Sequence, residues 1–125
     1  MNKKEIAQKY LHFLEHNEID NIITLFSKNG LVTSPVYGIK KARTFYKKLF
    51  EDTTNSKLTL KGIFEDNDSN KIAIYFNYNW TLIDNSFVEF DVVDILEFDA
   101  DNKIKHLNII YDSVITRQLV ANLNK

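Results

Sequence analysis

One carboxyl group in this sequence, Asp94, occupies a position where it could serve acid–base chemistry away from water. The segment FVEFDVVDILEF, residues 87–98, has the pattern of a β-strand, in which every second side chain faces the same way. One face then carries Val88, Phe90, Val92, Asp94, Leu96 and Phe98. A carboxyl group between apolar neighbours is costly to ionise, so we expect its pKa to be raised. Asp94 is therefore a candidate neutral hydrogen-bond donor inside a cavity.

A purely structural role for Asp94 fits the same pattern. Its carboxyl group could bond Tyr10 or Tyr46 in a buried network without touching a ligand, or a β-bulge could turn it outward. Tyr10 lies in the apolar arc of a predicted N-terminal helix, so its hydroxyl also needs an internal partner. Packing in the core explains Tyr10 nearly as well as a place in a site.

An aromatic row precedes Asp94 in the segment KIAIYFNYNWTLI, residues 71–83. Alternation places on one face Ile72, Ile74, Phe76, Tyr78, Trp80 and Leu82. A pocket for a flat or ring-shaped ligand uses such a wall, although the pattern is also typical of a plain core, and Trp80 could serve a dimer interface. In the last predicted strand we expect the cavity to be faced by Leu107, Ile109 and Tyr111.

Asp112, which follows Tyr111, is the nearest candidate for a catalytic base. Its alternative role is a cap for the segment that begins at Ser113, because aspartate accepts hydrogen bonds from the free amides at a helix start. We favour the cap.

Motifs for metals and cofactors are weak. HFLEH, His12 to His16, matches the H-x-x-E-H zinc pattern, but both histidines fall on the solvated side of the first helix with no evident third ligand. DNDSNK, which begins at Asp66, resembles a calcium loop but has Lys71 at the glycine position, so we interpret it as a hairpin turn. The three glycines form no phosphate-binding loop. We therefore expect neither a metal nor a cofactor.

Composition indicates one domain spanning residues 1–125. Sixteen basic and seventeen acidic residues leave the chain near neutrality, which argues against a nucleic-acid or membrane partner. The absence of cysteine excludes disulfides and thiolate metal sites. No uninterrupted apolar stretch in the first twenty residues could act as a signal peptide. We expect a soluble cytoplasmic protein.

Hydrophobic periodicity is helical over the first fifty residues and alternating after residue 56. It predicts a first helix through Leu14, a second over residues 18–27 that stops at Asn29-Gly30, and a third from Ile39 that the polar EDTTNS closes. LVTSPVYG, between the last two, reads as a short strand and a turn. Polar turn clusters then divide the chain into strands near 57–65, 71–83, 87–98 and 103–112, and residues 113–123 into a short helix or tail. The predicted class is α+β, with three N-terminal helices on one face of a strongly twisted, mostly antiparallel sheet.

This order resembles the nuclear transport factor 2-like superfamily, which includes SnoaL-like (polyketide cyclase-like) proteins and ketosteroid isomerases. YLHFLEHNEIDNIITLFSKNGLVTSPVYG is similar to the family's opening and VVDILEFDADNKIKHLNIIYD to its closing hairpin. The resemblance covers residues 5–120. It implies a cone-shaped, cystatin-like fold with a strongly curved mixed sheet, a pocket for a small apolar or aromatic molecule, and a homodimer through the sheet.

The ketosteroid isomerase branch also implies roles for individual residues. Tyr10 in QKYLHFL and Asp94 in VVDILEF match the tyrosine and protonated aspartic acid of its oxyanion hole. Tyr46 in TFYKKLF matches a tyrosine that supports the first. Ser34 stands where that branch has its base, and a hydroxyl cannot abstract a carbon-bound proton unaided. The remaining pocket positions expected are Phe13, Ser34, Tyr46, Phe76, Tyr78, Trp80, Leu107, Ile109 and Tyr111.

Two functions follow from these residues. The first is a cofactor-independent isomerase or cyclase, in which Tyr10 and Asp94 stabilise a developing enolate oxygen and Asp112, or a water held by Ser34, moves the proton. The second is a non-catalytic ligand-binding or dimerisation module of the same fold. The missing base favours the second function, and the retained donor pair favours the first.

Overall fold

The chain begins its first helix at Asn2, whose side-chain Oδ1 accepts a hydrogen bond of 2.8 Å from the Glu5 amide. The computed structural model describes residues 1–124. In chain order the elements are α1 (Lys3–Glu15), α2 (Ile19–Thr24), β1 (Phe26–Ser34), β2 (Gly38–Lys41), α3 (Ala42–Glu51), β3 (Thr53–Asp66), β4 (Lys71–Leu82), β5 (Phe87–Phe98), β6 (Ile104–Ile110) and α4 (Val114–Leu123). Among the helices of residues 1–124, none is both long and apolar enough to cross a membrane.

The strands form one six-stranded sheet in the order β2-β1-β6-β5-β4-β3. β1 and β6 are parallel and all other neighbours are antiparallel, so the sheet is mixed, as predicted. Each hairpin among β3–β6 turns through an asparagine with positive φ, at Asn70, Asn85 and Asn102. Asparagine adopts this left-handed conformation more readily than most residues, which is why the polar clusters marked these turns correctly.

Helices α1, α2 and α3 pack on one face of the curved sheet, here called the inner face. α1 contacts β3 and β4, and α3 contacts β1, β2 and β3. Burial alternates along β4 from Ile72 to Leu82, so every second side chain of this strand enters the core. The expected α+β architecture is therefore confirmed.

The prediction of a helix over residues 18–27 was wrong at its end. α2 stops at Thr24, and Phe26 already belongs to β1, opposite Ile104 of β6. Asn29-Gly30 does not end a helix but lies in an irregularity of β1, where the register with β6 shifts between Phe26 and Leu31. Pairing with a distant strand therefore overrides the local helical period.

The third helix also begins later than predicted. Gly38–Lys41 forms β2, an exposed edge strand paired with β1, and the helix starts at Ala42. EDTTNS does close this helix, since α3 stops at Glu51, but β3 already begins at Thr53, earlier than the strand predicted near residues 57–65. At the end of the chain, β6 is shorter than expected and Val114–Leu123 forms a helix.

Candidate functional site

A cavity of about 50 Å³ lies between α1, α3 and the inner face of β4–β6. Eight of the predicted site residues line it: Tyr10, Ser34, Phe76, Tyr78, Trp80, Asp94, Ile109 and Tyr111. Six further residues complete the lining: Leu14, Tyr37, Phe45, Leu49, Phe90 and Val92. The walls are therefore mainly apolar and aromatic, and the volume suits a few water molecules or a small organic molecule.

Asp94 lies in the middle of β5, between Ile74 of β4 and Ile109 of β6. Its side chain faces inward and is 2% exposed. Its Oδ1 atom has no hydrogen-bond partner among residues 1–124. Burial raises the pKa of this carboxyl group well above its usual range, because the ionised form has neither water nor a donor to stabilise it. Asp94 thus has the properties of a neutral acid that faces a cavity.

Tyr10 and Tyr46 form a hydrogen bond of 2.6 Å between their hydroxyl groups. Both side chains are buried, and burial raises the pKa of each hydroxyl, so both remain protonated. Tyr10 lines the cavity and Tyr46 lies behind it in α3. When Tyr46 donates to Tyr10, the Tyr10 hydrogen is free to donate into the cavity. Among residues 1–124, Asp94 Oδ1 bonds neither tyrosine, so the buried network of Asp94 with Tyr10 or Tyr46 that the sequence allowed is not formed through this atom.

A second polar pair was not found from the sequence. Tyr37 lines the cavity, and its hydroxyl donates a hydrogen bond of 2.7 Å to Asp52 Oδ2, while Lys48 Nζ lies 3.1 Å from Asp52 Oδ1. Burial, followed by this bond, raises the pKa of the Tyr37 hydroxyl. Asp52 follows the end of α3 and is 5% exposed. Only the tertiary fold brings Asp52 to Tyr37, which stands in the VTSPVYG segment.

Three rings form a stack along the sheet side of the cavity. Phe90 lies between Tyr78 and Tyr111, with ring-centroid distances of 5.5 Å and 4.2 Å and nearly parallel planes. The Tyr78 hydroxyl bonds Ser56 at 2.8 Å, so its polar tip is already satisfied within the protein. Burial raises the pKa of Tyr111 to about 12. This wall offers mainly flat aromatic contact.

Comparison with known proteins identifies the fold. No known family model matches the sequence, and no curated protein matches it either. Solved structures do match. A nuclear transport factor 2-like protein of unknown function from Burkholderia pseudomallei K96243 aligns with a TM-score of 0.83 at 11% identity, over 96% of this chain and 98% of that chain. The chain has the nuclear transport factor 2-like fold.

The similar structures include a protein described as an enzyme and a protein crystallised with a ligand. SalBIII, described as an epoxide hydrolase/cyclase-like enzyme in pyran ring formation in the polyether salinomycin, aligns with a TM-score of 0.78 at 17% identity over 92% of each chain. TerC, co-crystallised with polyporic acid, aligns with a TM-score of 0.79 at 14% identity, over 95% of this chain and 98% of that chain. At such identities the likeness concerns the nuclear transport factor 2-like fold alone.

Four predicted site residues lie outside the cavity lining in this fold. Tyr46 is behind Tyr10, Phe13 is half-buried against the core, and Leu107 is fully buried beside Leu96. Asp112 lies in a separate surface depression. Its Oδ1 accepts a hydrogen bond of 3.2 Å from the Val114 amide at the start of α4, which is the acceptor role that the sequence favoured, although the N-cap position itself is Ser113.

Proposed function

We propose that this protein binds a small apolar or aromatic molecule that carries a carbonyl or phenolic oxygen, and that Asp94 donates a hydrogen bond to that oxygen. The observation that supports this function is the buried Asp94 carboxyl group, which lines the cavity with Oδ1 unpartnered among the described residues. Buried polar atoms of folded proteins are nearly always satisfied, so a site of this kind is suited to a ligand or an ordered water.

Asp94 and Tyr10 can act together as neutral donors. Burial raises the pKa of both groups, so both keep their protons near pH 7. Two such donors in a cavity with mainly apolar and aromatic walls stabilise negative charge that develops on a carbonyl oxygen, as when an enolate forms. We therefore extend the proposal to isomerisation or cyclisation by proton transfer, without a cofactor.

Proton transfer also needs an acceptor, and Tyr37 with Asp52 supplies a route. Asp112 lies outside the cavity lining, whereas Tyr37 lines the cavity and its hydroxyl already donates to Asp52. In the proposed step a substrate C–H bond breaks and its proton passes to the Tyr37 oxygen. The Tyr37 proton passes to the Asp52 carboxylate. The electron pair of the broken C–H bond forms a C=C bond, and the π pair of the carbonyl group moves to the oxygen held by Asp94 and Tyr10.

Ligand binding without turnover is the second candidate function. Among residues 1–124, Asp94 is the one carboxyl group in the cavity lining, and a group that must stay protonated as a donor cannot also be the base. The two candidates share the donor and differ in whether the Tyr37–Asp52 pair accepts a proton.

The similar structures support a small-molecule role at the level of the fold. SalBIII is described as a cyclase-like enzyme, and TerC was crystallised with an organic acid. The same fold therefore holds small organic molecules in other proteins, which makes the cavity of this chain a reasonable place to seek one.

Phenol binding tests the donor. Titration calorimetry with phenol is expected to give saturable binding to the wild type. Asp94→Val should weaken binding about fivefold to tenfold because it removes the donor, whereas Asp94→Asn keeps a neutral donor and should retain most of the affinity. Binding to the wild type should also weaken as the pH rises through the raised pKa of Asp94, since the ionised carboxylate has no proton to donate. Binding to Asp94→Asn should not depend on pH in this way.

Asp112→Asn is the matched control, because this carboxyl group lies outside the cavity lining and asparagine preserves the cap. Its phenol affinity should equal that of the wild type. An absence of saturable binding, or equal affinity in the wild type and Asp94→Val, would contradict the proposal.

Proton exchange separates the two candidate functions. In D₂O, catalysed exchange of the α-protons of cyclohexanone, followed by NMR and lost in Tyr37→Phe, supports the enzyme. Phenol binding without catalysed exchange supports the binding module.

A further inference from the structure

The exposed end of α1 gathers two imidazoles and a carboxylate. His12 and His16 lie one helical turn apart, and one ligand atom from each of them and from Glu18 lies within 4.8 Å of the others. Both histidines are exposed, whereas Tyr10 on the same helix is buried against the cavity. This cluster is therefore separate from the site proposed above.

The turn after α1 is what brings Glu18 to the histidines. Asn17 has a left-handed backbone with φ of 57°, and the Glu18 amide donates to the Phe13 carbonyl oxygen at 2.9 Å. These features fold the chain back over the end of the helix. Sequence analysis found no third ligand because this reversal, rather than helical spacing, places the carboxylate.

Internal hydrogen bonds orient the His16 imidazole and the Glu18 carboxylate. His16 Nδ1 is 2.8 Å from the His12 carbonyl oxygen. A carbonyl oxygen only accepts, so Nδ1 carries the hydrogen and Nε2 keeps its lone pair. Glu18 Oε1 accepts from the Asn21 side-chain Nδ2 at 2.8 Å, and Glu18 Oε2 lies 3.8 Å from His12 Nε2. Metal-binding histidines and carboxylates are typically held by such bonds from their other atoms.

The glutamate of the H-x-x-E-H pattern is not part of this cluster. Glu15 Oε2 accepts a hydrogen bond of 2.7 Å from the Leu58 amide of β3, so this carboxylate joins α1 to the sheet. The arrangement is thus two histidines and Glu18, and not the protease-type set in which Glu15 would act as base. Glu15 and Glu18 are therefore nearby carboxylates with different expected roles: Glu15 bonds the sheet, and Glu18 lies with the two histidines.

We propose that His12, His16 and Glu18 bind one divalent transition-metal ion of the zinc class. Imidazole nitrogens with one carboxylate oxygen suit zinc, nickel or copper better than magnesium or calcium. Zinc bonds of about 2.0 to 2.2 Å require the ligand atoms to close to roughly 3.3 Å from one another, a movement available to exposed side chains. The negative end of the α1 dipole adds attraction for a cation. Three protein ligands leave coordination positions for water or for an external ligand.

Zinc titration of the full chain tests the site. Calorimetry with Zn²⁺ should give one saturable site per chain in the wild type. His16→Gln should weaken it by about tenfold or more, as expected when a ligand is removed. Glu18→Gln and Glu15→Gln form a matched pair. The first should lower the zinc affinity, and the second should leave it within about twofold, because glutamine at position 15 can still accept from the Leu58 amide.

NMR of the imidazole rings provides an independent readout on the unmodified chain. Zn²⁺ should shift the ring signals of His12 and His16 and leave those of His106, whose Nε2 is 2.8 Å from the Thr33 hydroxyl, unchanged. Circular dichroism checks that each variant is folded. No saturable zinc binding in the wild type, unchanged affinity in His16→Gln, or an equal loss in Glu15→Gln and Glu18→Gln would overturn the proposal. None of these results depends on phenol binding in the cavity.

Discussion

Asp94 combines burial with an incomplete set of hydrogen bonds. An ionised carboxylate at this position would lose its water without gaining a donor, since Oδ1 has no partner among residues 1–124. The neutral acid loses far less hydration free energy when it is buried. Folding therefore favours the protonated form, and the raised pKa of Asp94 must appear as a dependence of stability on pH.

We predict that stability falls with rising pH because of Asp94. The folded chain binds this proton more tightly than the unfolded chain, in which the pKa is near 3.8. The contribution of Asp94 is complete below that value and is lost as the pH rises through the folded-state pKa, by up to about 1.4 kcal/mol per pH unit. Urea unfolding from about pH 4 to about pH 8 should show the stability difference between Asp94→Asn and the wild type growing with pH.

Comparison of two variants isolates this single group. Asp66, Asp84 and Asp91 have pKa values lowered mainly by hydrogen bonds, and they oppose the trend of Asp94, but they are present in both proteins and cancel in the difference. A difference that stayed constant across the pH range would mean that Asp94 titrates normally.

Individual site residues were predictable where the secondary structure of a single element determines which face of the sheet a side chain points to. Strand alternation is a local property, and it is sufficient to place Asp94, Phe76, Tyr78 and Trp80 on the inner face. The bond between Tyr37 and Asp52 is not local. It depends on how the turn after β1 meets the end of α3, and no periodicity of either segment contains that information.

At the level of elements, Gly30 determines how closely β1 approaches β6. A Cβ atom at this position would lie 2.8 Å from the Phe26 ring and 2.9 Å from the Ile104 carbonyl oxygen. The carbonyl oxygen belongs to the backbone of β6 and cannot move without disturbing the sheet. Glycine is thus required at this irregularity in the strand.

We predict that Gly30→Ala destabilises the protein by about 1 to 3 kcal/mol, the usual cost of overpacking. Gly62→Ala is the matched control in β3. Its Cβ would lie 2.9 Å from the Phe64 ring, which is 61% exposed and can swing away, so the change should stay within about 0.5 kcal/mol. Denaturant unfolding of the two variants measures both effects, and equal losses would contradict a special role for Gly30.

The same region explains where the prediction of elements failed. The hairpins of β3–β6 were predictable because each has a polar turn and a clear alternation. LVTSPVYG was correctly predicted as a short strand and a turn, since β1 runs to Ser34. The failures are the start of β1 and the residues of β2, which were assigned to helices. β1 pairs with β6 across most of the chain, and β2 is short and exposed on every residue, so no local alternation marked these residues as strands.

At the level of the whole molecule, the outer face of the sheet carries an apolar strip. The strand register pairs Phe64 with Ala73, Ala73 with Ile95, and Val93 with Ile110. Val93 and Ile95 lie two residues apart on β5 and so face the same side, which makes the five side chains contiguous across four strands. Phe64 is 61% exposed and Ile110 is 51% exposed. Apolar surface of this kind commonly marks an interaction site.

We propose that a second copy of the chain covers this strip. Lys61 and Asp91 form a surface ion pair of 3.0 Å on the outer face, so each copy presents one positive and one negative side chain to the other copy. A two-fold axis through the sheet would place strip against strip and allow opposite charges to meet, as symmetric dimers require. The chain carries almost no net charge that would oppose such pairing.

Light scattering coupled to size-exclusion chromatography tests the dimer. The wild type should have twice the mass of one chain, and Ile110→Lys should have the mass of a monomer, because the new charge would be buried against the partner without a counter-ion. Ile83→Lys is the control: Ile83 is 56% exposed but lies beyond the end of β4, away from the strip, so this variant should remain dimeric. A monomeric wild type, or a dimer in Ile110→Lys, would show that the strip does not join two copies.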